Sequence, residues 1–187
     1  MTITFTSTVS RGQIDSAITI TGTGYGKTVL GQTLIQEVIK ENGQRYSADT
    51  VKYVFGSANI GGGVRLPMYR FKVFYRYEEL GITYITSSQS GDTVSGIIFY
   101  PPFKGQTEKG AVIGKTRINS LDIPRKGGKI SYSRPHKMGL YRDQEFSENA
   151  NRYIKIDGVY YGYKKSFWTK NKFRAPRKTI TEIRIGR

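Results

Sequence analysis

The side chains of this chain whose chemistry is most evident are basic and aromatic, and they cluster near the C-terminus. Residues 164–178 contain seven basic residues and no acidic one, with Phe167, Trp168 and Phe173 interleaved among them. Basic side chains neutralise phosphates and release condensed counterions, while aromatic rings stack on unpaired bases. The rings could instead pack in the core, and the charges would still form a patch. The segment predicts a nucleic-acid contact, with single strands favoured, made by Lys164, Lys165, Trp168, Lys170, Lys172, Arg174, Arg177 and Lys178.

A second basic cluster lies earlier in the chain, around two glycines. Arg125, Lys126 and Lys129 flank Gly127-Gly128, which predicts a loop that can approach a nucleic-acid backbone closely. His136 follows this cluster and is the only histidine, which excludes a His-rich metal site, and no recognisable nucleophile motif accompanies it as a catalytic base.

A glycine-rich segment near the N-terminus could bind phosphate. Residues 17–28 combine a strand pattern, three glycines and Gly26-Lys27-Thr28, and an amphipathic pattern follows. The segment resembles the phosphate loop of P-loop NTPases, in which backbone N–H groups and a lysine hold phosphates and a threonine binds magnesium. Thr21 stands where that motif needs glycine, which leaves the loop one residue short. We therefore predict a glycine turn capping a helix, with a weak phosphate site at Gly24, Gly26, Lys27 and Thr28.

Residue types that support catalysis are sparse. Asp143, Glu145 and Glu148 form the densest acidic group, which a solvated turn or salt bridges explain better than a magnesium site. The chain has no cysteine, which excludes disulfides, thiol nucleophiles and the usual zinc sites. We expect neither a metal nor a cofactor. The sequence favours a protein without enzymatic activity, and a nucleic-acid-processing enzyme or nucleotide-binding protein remains the alternative.

The charge of the chain is unevenly distributed. The 187 residues carry a formal net charge of +16. Residues 1–100 have nine basic and seven acidic side chains, whereas residues 101–187 have 21 basic and seven acidic, a net charge of +14. A charge of this size repels itself unless a polyanion lies nearby. The partner is therefore predicted to be nucleic acid, and an anionic membrane would satisfy the same charge.

Strand patterns dominate the elements that must position these residues. Residues 68–86 predict a hairpin, because Arg70, Lys72 and Arg76 alternate with apolar or aromatic neighbours before a turn at 78–81. The last candidate strand, residues 178–185, does not alternate cleanly between apolar and polar residues, which allows a bulge. Other candidate strands are residues 3–9, 17–20, 51–55, 94–100, 110–118, 129–133, 153–163 and 178–185.

One amphipathic helix is predicted at about residues 27–42. Leu30, Leu34, Ile35, Val38 and Ile39 fall on one face, and Asn42-Gly43 supplies the stop. Many strands with one helix predict a mainly β (α+β) fold, an antiparallel sheet, sandwich or barrel, in a single domain over residues 1–187. The segment 164–187 is a basic, aromatic part of that domain.

Taken together, these patterns predict a non-enzymatic structural protein that binds nucleic acid inside a nucleoprotein assembly. A virus coat or matrix component (a virion or capsid protein) and a ribosome-type protein both fit, as a homo-oligomer or larger assembly. No apolar run is long enough to span a bilayer, and the first residues predict a strand rather than a signal peptide. The compartment, and RNA versus DNA as the ligand, stay open.

Overall fold

The computed structural model describes residues 19–121, 150, 152–163 and 178–186. One α-helix and eleven strands are present in this part of the chain. Among the described residues no helix is long and apolar enough to cross a membrane. In chain order the elements are β1 Thr19–Ile20, β2 Gly24–Tyr25, β3 Thr28–Val29, α1 Ile35–Asn42, β4 Ser47–Asn59, β5 Arg65–Tyr77, β6 Ile82–Ser87, β7 Gly91–Phe99, β8 Gln106–Thr107, β9 Arg152–Ile156, β10 Val159–Tyr163 and β11 Ile180–Gly186.

The strands form two sheets. The larger has seven strands in the order β4-β5-β6-β7-β11-β10-β9, and all its pairings are antiparallel. The smaller has four short strands in the order β3-β2-β1-β8, with β1 and β8 parallel. The predicted mainly β fold with antiparallel pairing and one helix is therefore confirmed.

The helix is shorter than its apolar pattern predicts, because it begins at Ile35. The preceding residues form the hairpin of β2 and β3 and then a turn at Gly31, whose φ of 75° is unsuited to a right-handed helix. The helix starts after Leu34, whose backbone N–H donates to the Glu37 carboxylate at 3.1 Å. Residues 27–34 of the predicted helix are thus corrected to hairpin and turn.

The main core lies between one face of the larger sheet, the smaller sheet and α1. Ile35 and Val38 are the buried residues of the helix, and they join a cluster that extends to Ile20 and to the β11 residues Ile183 and Ile185. The alternate residues of the central strands face the other side of the sheet. There Phe74, Ile85 and Ile98 form a second, smaller cluster.

Several strand predictions can be compared directly. The hairpin at 68–86 and the strand at 94–100 are confirmed by β5, β6 and β7. The bulge in the last strand is confirmed as well, because Gly162 pairs with Glu182 and Tyr163 with Ile180, which leaves Thr181 as the extra residue.

Two other strand predictions are corrected. Residues 153–163 form a hairpin rather than one strand, since Asp157 and Gly158 both have positive φ and make the turn. Residues 110–118 are turns with isolated bridges at Val112 and Arg117 instead of a strand. The predicted strands at 3–9 and 129–133 lie outside the described residues.

A buried polar group joins β9 to β11. The side chains of Glu182 and Arg184 are in direct contact as an ion pair, and both are almost fully buried. The Tyr153 hydroxyl donates to Glu182 Oε1 at 2.7 Å, and Arg184 Nη2 lies 2.6 Å from that hydroxyl. Burial raises the pKa of Glu182 above its usual range, while Arg184 and Tyr153 oppose that shift. The three groups stabilise one another in a place where an isolated charge would be costly.

We expect Arg184→Met alone to lower the free energy of unfolding by about 3–5 kcal/mol, because it leaves the Glu182 carboxylate buried without its counter-charge. The double variant Glu182→Leu with Arg184→Met should be much closer to wild type, since no buried charge then remains. Urea unfolding of the three proteins measures the difference. A single variant as stable as the double variant would contradict the importance of this pair.

Candidate nucleic-acid interface

The longest hairpin of the structure extends beyond its sheet. Strand β5 pairs with β6 only from Lys72 to Tyr77, whereas it pairs with β4 along its whole length. We call residues 50–72 the arm. From Arg65 to Lys72 the strand rises by roughly 23 Å at about 3.3 Å per residue. Most of the arm is thus a two-stranded ribbon without a third strand beside it in the described part of the chain.

The arm is basic and aromatic. Its 23 residues include no acidic side chain. Isolated two-stranded hairpins are at best marginally stable in water, so a bound partner would stabilise such a segment. The charged and aromatic residues are Lys52, Arg65, Arg70 and Lys72, with Tyr53, Phe55, Tyr69 and Phe71.

On one face of the arm a lysine lies over two rings. Lys52 is directly opposite Phe71 in the ladder, and its Nζ is 3.9 Å from the centre of the Tyr69 ring and 5.9 Å from that of Phe71. Directly opposite residues of an antiparallel pair point to the same side of the sheet. The cation and the two rings therefore form one continuous surface.

The other face of the arm repeats this chemistry. Tyr53 is opposite Arg70 in the ladder. The Arg70 guanidinium carbon lies 3.9 Å from the centre of the Phe55 ring, and Lys72 Nζ lies 5.5 Å from that of Tyr53. A register shift between Val54 and Gly56 places an extra residue, Phe55, in β4. Each face of the ribbon thus carries both cations and rings.

Apolar side chains are unusually exposed on the arm. Eight of the eleven large hydrophobic residues that are exposed in the described part of the chain lie between residues 54 and 71. Phe55, Tyr69 and Phe71 are 41–46% exposed, whereas many other aromatic rings of the described chain are buried. Concentrated exposed apolar surface of this kind marks an interaction site.

A cleft of about 500 Å³ lies at the opposite end of β5 from the arm. Its wall includes the Tyr25 ring, which packs edge-on against Phe103 at 5.4 Å between ring centres, and the nearly buried Tyr84. Asn42 donates a hydrogen bond of 3.4 Å to the Tyr84 hydroxyl. Burial is the main cause that raises the pKa of Tyr84 to about 12. The charged residues that line the cleft are Lys27, Glu41, Glu79 and Lys104.

The Gly-Lys-Thr segment beside this cleft is a β-hairpin. Gly26 and Lys27 are the two turn residues between β2 and β3, and the positive φ of Gly26 fits the first central position of a type II′ turn. Lys27 Nζ lies 3.8 Å from Glu41, near the C-terminal end of α1 rather than its N-terminus. Thr28 is buried, so its hydroxyl is not open to a magnesium ion.

The expected cap of a helix N-terminus at this segment is therefore corrected. Of the residues predicted to hold phosphate, Gly24 and Thr28 are strand residues, and Lys27 is the exposed cation. A phosphate contact here stays a prediction that depends on Lys27 alone. Within the described ranges no group of three His, Cys, Asp or Glu side chains could hold a metal ion.

Most of the predicted nucleic-acid contacts lie outside the described residues. Lys178 is described: its side chain is exposed, and its carbonyl accepts a hydrogen bond of 2.8 Å from the Ile118 N–H. The other predicted contacts, which stay predictions, are Arg125, Lys126, Lys129, Lys164, Lys165, Trp168, Lys170, Lys172, Arg174 and Arg177.

Sequence reasoning missed the arm as a binding surface. It identified a strand at 51–55 and a hairpin at 68–86, but treated them as ordinary parts of the sheet. A usable signal was present, because the stretch between Asp49 and Glu78 has five basic residues, several rings and no acid. Apolar residues on both alternating faces of a strand, such as Met68 and Tyr69, were the second signal.

No protein-family model, curated protein or solved structure matches this chain. Its function has to be inferred from the geometry and chemistry described above.

We expect the stability of the fold to decrease at high pH because of Tyr84, which lines the cleft. Because its pKa is about 12 in the folded protein and about 10 when exposed, the unfolded chain loses this proton first as the pH rises. Stability from the neutral hydroxyl is complete below pH 10 and lost as the pH rises through 12. We expect wild type to lose about 2–3 kcal/mol more than Tyr84→Phe across this window. Equal losses in unfolding curves would contradict this, and Tyr69→Phe on the arm is the matched control.

Proposed function

We propose that this protein binds nucleic acid without catalysis, as a structural component of a nucleoprotein assembly. The arm supports the proposal most directly, because residues 50–72 join four cations and four rings with no acid among them. Cations neutralise phosphates and release counterions, and rings stack on bases regardless of sequence. The net charge of +16 adds long-range attraction for any polyanion.

A single strand suits the arm better than a duplex. The rings of Phe55, Tyr69 and Phe71 are 41–46% exposed, and only unpaired bases offer them a stacking surface. A two-stranded ribbon also fits the major groove of a duplex, but there the rings have no unpaired base on which to stack. Affinity for a single strand should therefore exceed affinity for a duplex of the same length.

Nucleic acid is a better partner for the arm than an anionic membrane. Elements that lie on membranes separate an apolar face from a charged one. The arm does not, since Lys52 lies with Tyr69 and Phe71 on one face and Arg70 lies with Phe55 on the other. A strand of nucleic acid, with phosphates and bases along its length, meets cations and rings on either face.

The basic C-terminal segment, residues 164–178, is proposed to act together with the arm. A virus coat or matrix component and a ribosome-type protein are the kinds of assembly component that this chemistry fits, as a homo-oligomer or larger complex. Nucleotide chemistry at the Gly-Lys-Thr segment is not proposed, because that segment is a hairpin turn and Thr28 is buried.

Replacing the arm cations Lys52, Arg70 and Lys72 with glutamine should weaken binding to a mixed-sequence single-stranded oligonucleotide. Each lost phosphate contact should reduce the dependence of log affinity on log salt by about 0.7, so three contacts reduce it by about 2. Affinities measured between about 50 and 200 mM salt give this slope.

The matched control changes Lys40, Arg45 and Lys115, which are exposed and off the arm, to glutamine. It lowers the net charge equally and should leave the slope nearly unchanged. Equal effects of the two triple variants would mean that the overall field, not the arm, is responsible. Binding to anionic vesicles but not to oligonucleotide would identify a membrane as the partner.

The C-terminal segment can be compared on the same scale. Changing its seven basic residues to glutamine should reduce the salt slope by about 5 if all seven contact phosphates of a single strand. The fold should be retained, which near-UV circular dichroism of the variant can verify. An unchanged slope would place the contact elsewhere, with Arg125, Lys126 and Lys129 tested next. The seven residues are Lys164, Lys165, Lys170, Lys172, Arg174, Arg177 and Lys178.

A further inference from the structure

The turn at the end of the arm is apolar and extends into solvent. We call residues 60–66 the tip. Ile60 is 60% exposed, Val64 51% and Leu66 49%, and the glycines at 61–63 carry no side chains that could cover them. Arg65 is the tip's one charged residue. Apolar groups this exposed cost free energy in water, which favours their burial against another surface.

The cleft offers such a surface. Its wall is mixed, with Tyr25, Phe103 and the 42%-exposed Leu80 beside polar and charged side chains, and its volume of about 500 Å³ has room for side chains of the tip. Glu79 also lines the cleft, and among the described residues no cation forms an ion pair with it. Lys104 also lines the cleft without an ion pair in the described part of the chain, so the charges of the lining balance. An apolar tip with one arginine fits the apolar part of this wall with Arg65 placed beside Glu79.

The tip cannot reach the cleft of its own chain. Arg65 begins β5 and Tyr77 ends it, and Glu79 and Leu80 follow directly. Twelve steps of about 3.3 Å along this strand separate the two ends by roughly 40 Å. The two surfaces thus lie at opposite ends of one extended strand, and a second copy can bring them together.

We infer that the tip of one copy docks in the cleft of another, so that copies associate head to tail. Ile60, Val64 and Leu66 pack against Tyr25, Leu80 and Phe103 of the next copy, and Arg65 pairs with its Glu79. A contact between two different surfaces repeats from copy to copy, and it gives an open chain or a closed ring, of which a dimer with both contacts made reciprocally is the smallest. The inference rests on the assembly part of the proposed function and is independent of the nucleic-acid contact.

Salt separates this contact from nucleic-acid binding. Copies with a net charge of +16 repel one another, and salt screens this repulsion while it leaves apolar burial intact. Self-association should strengthen as salt rises. Binding of an oligonucleotide should weaken over the same range.

The test uses two variants that each lack one surface. The tip variant carries Ile60→Ser, Val64→Ser and Leu66→Ser, and the cleft variant carries Glu79→Lys and Leu80→Lys. All five side chains are exposed, so the fold should be retained, as near-UV circular dichroism can verify. The control, Val29→Ser with Leu34→Ser, removes exposed apolar residues that belong to neither surface.

Sedimentation velocity of the full chain, freed of nucleic acid by nuclease and high salt, measures the mass of the particles. We expect wild type and control to form dimers or larger particles with rising concentration, and each variant alone to stay monomeric. An equimolar mixture of the two variants should give complexes of two chains and nothing larger, because only one intact tip and one intact cleft remain to meet.

Three outcomes would overturn the inference. Wild type that stays monomeric at every concentration and salt excludes docking between copies. A cleft variant that still dimerises alone means that tips bind tips. A tip variant that self-associates like wild type places the interface elsewhere. Oligonucleotide affinity, measured on the same variants, tests the proposed function separately. If wild type is monomeric and the tip variant loses oligonucleotide affinity, nucleic acid rather than a second copy binds the tip.

Discussion

Backbone hydrogen bonding along β5 is the constraint on which the rest of this structure depends. β5 has 13 residues and β6 only six, so more than half of β5 would have no neighbour if it paired with β6 alone. Unpaired backbone groups in a β conformation need a partner. β4 supplies it, and because β4 is an edge strand with nothing beyond it in the described chain, the overhang becomes a two-stranded ribbon. The arm, its two similar faces and its distance from the cleft all follow from this difference in length.

The composition of the arm follows from the same constraint. Near its base β5 has a core on both sides, because Phe74 is buried in the smaller cluster and Tyr77 in the main one. Farther out no described residue forms a core on either side, and both faces need side chains that tolerate water. Cations stacked on rings satisfy that need, since the ring shields part of the alkyl chain while the charge stays hydrated. The same pairs present positive charge and flat apolar surface together.

The fold was predictable from sequence where one rule decided the outcome. The alternation at 68–77 and the turn at 78–81 specified the hairpin of β5 and β6, and the irregular spacing of Ile180, Ile183 and Ile185 indicated the bulge. The helix start was not predictable from periodicity, because Leu30 and Leu34 also fit the helical pattern while Gly31 and the β2–β3 pairing exclude it. Nor does the sequence state where β6 ends relative to β5. The arm therefore becomes evident as a candidate site only from the pairing of the strands in three dimensions, whereas the basic segment at 164–178 is evident from its composition.

The two proposed contacts are physically coupled, and Arg65 is a cation of both the arm and the docked tip. Self-repulsion at a net charge of +16 opposes the head-to-tail contact, and a bound polyanion removes that repulsion by neutralising basic side chains. If bound nucleic acid strengthens association between copies, then associated copies must bind nucleic acid more tightly by the same factor, because linkage is reciprocal. Copies would therefore assemble preferentially along a strand rather than in solution. Such coupling needs no conformational change, because copies whose basic side chains are neutralised repel one another less and can approach closely enough for the proposed docking of tip and cleft.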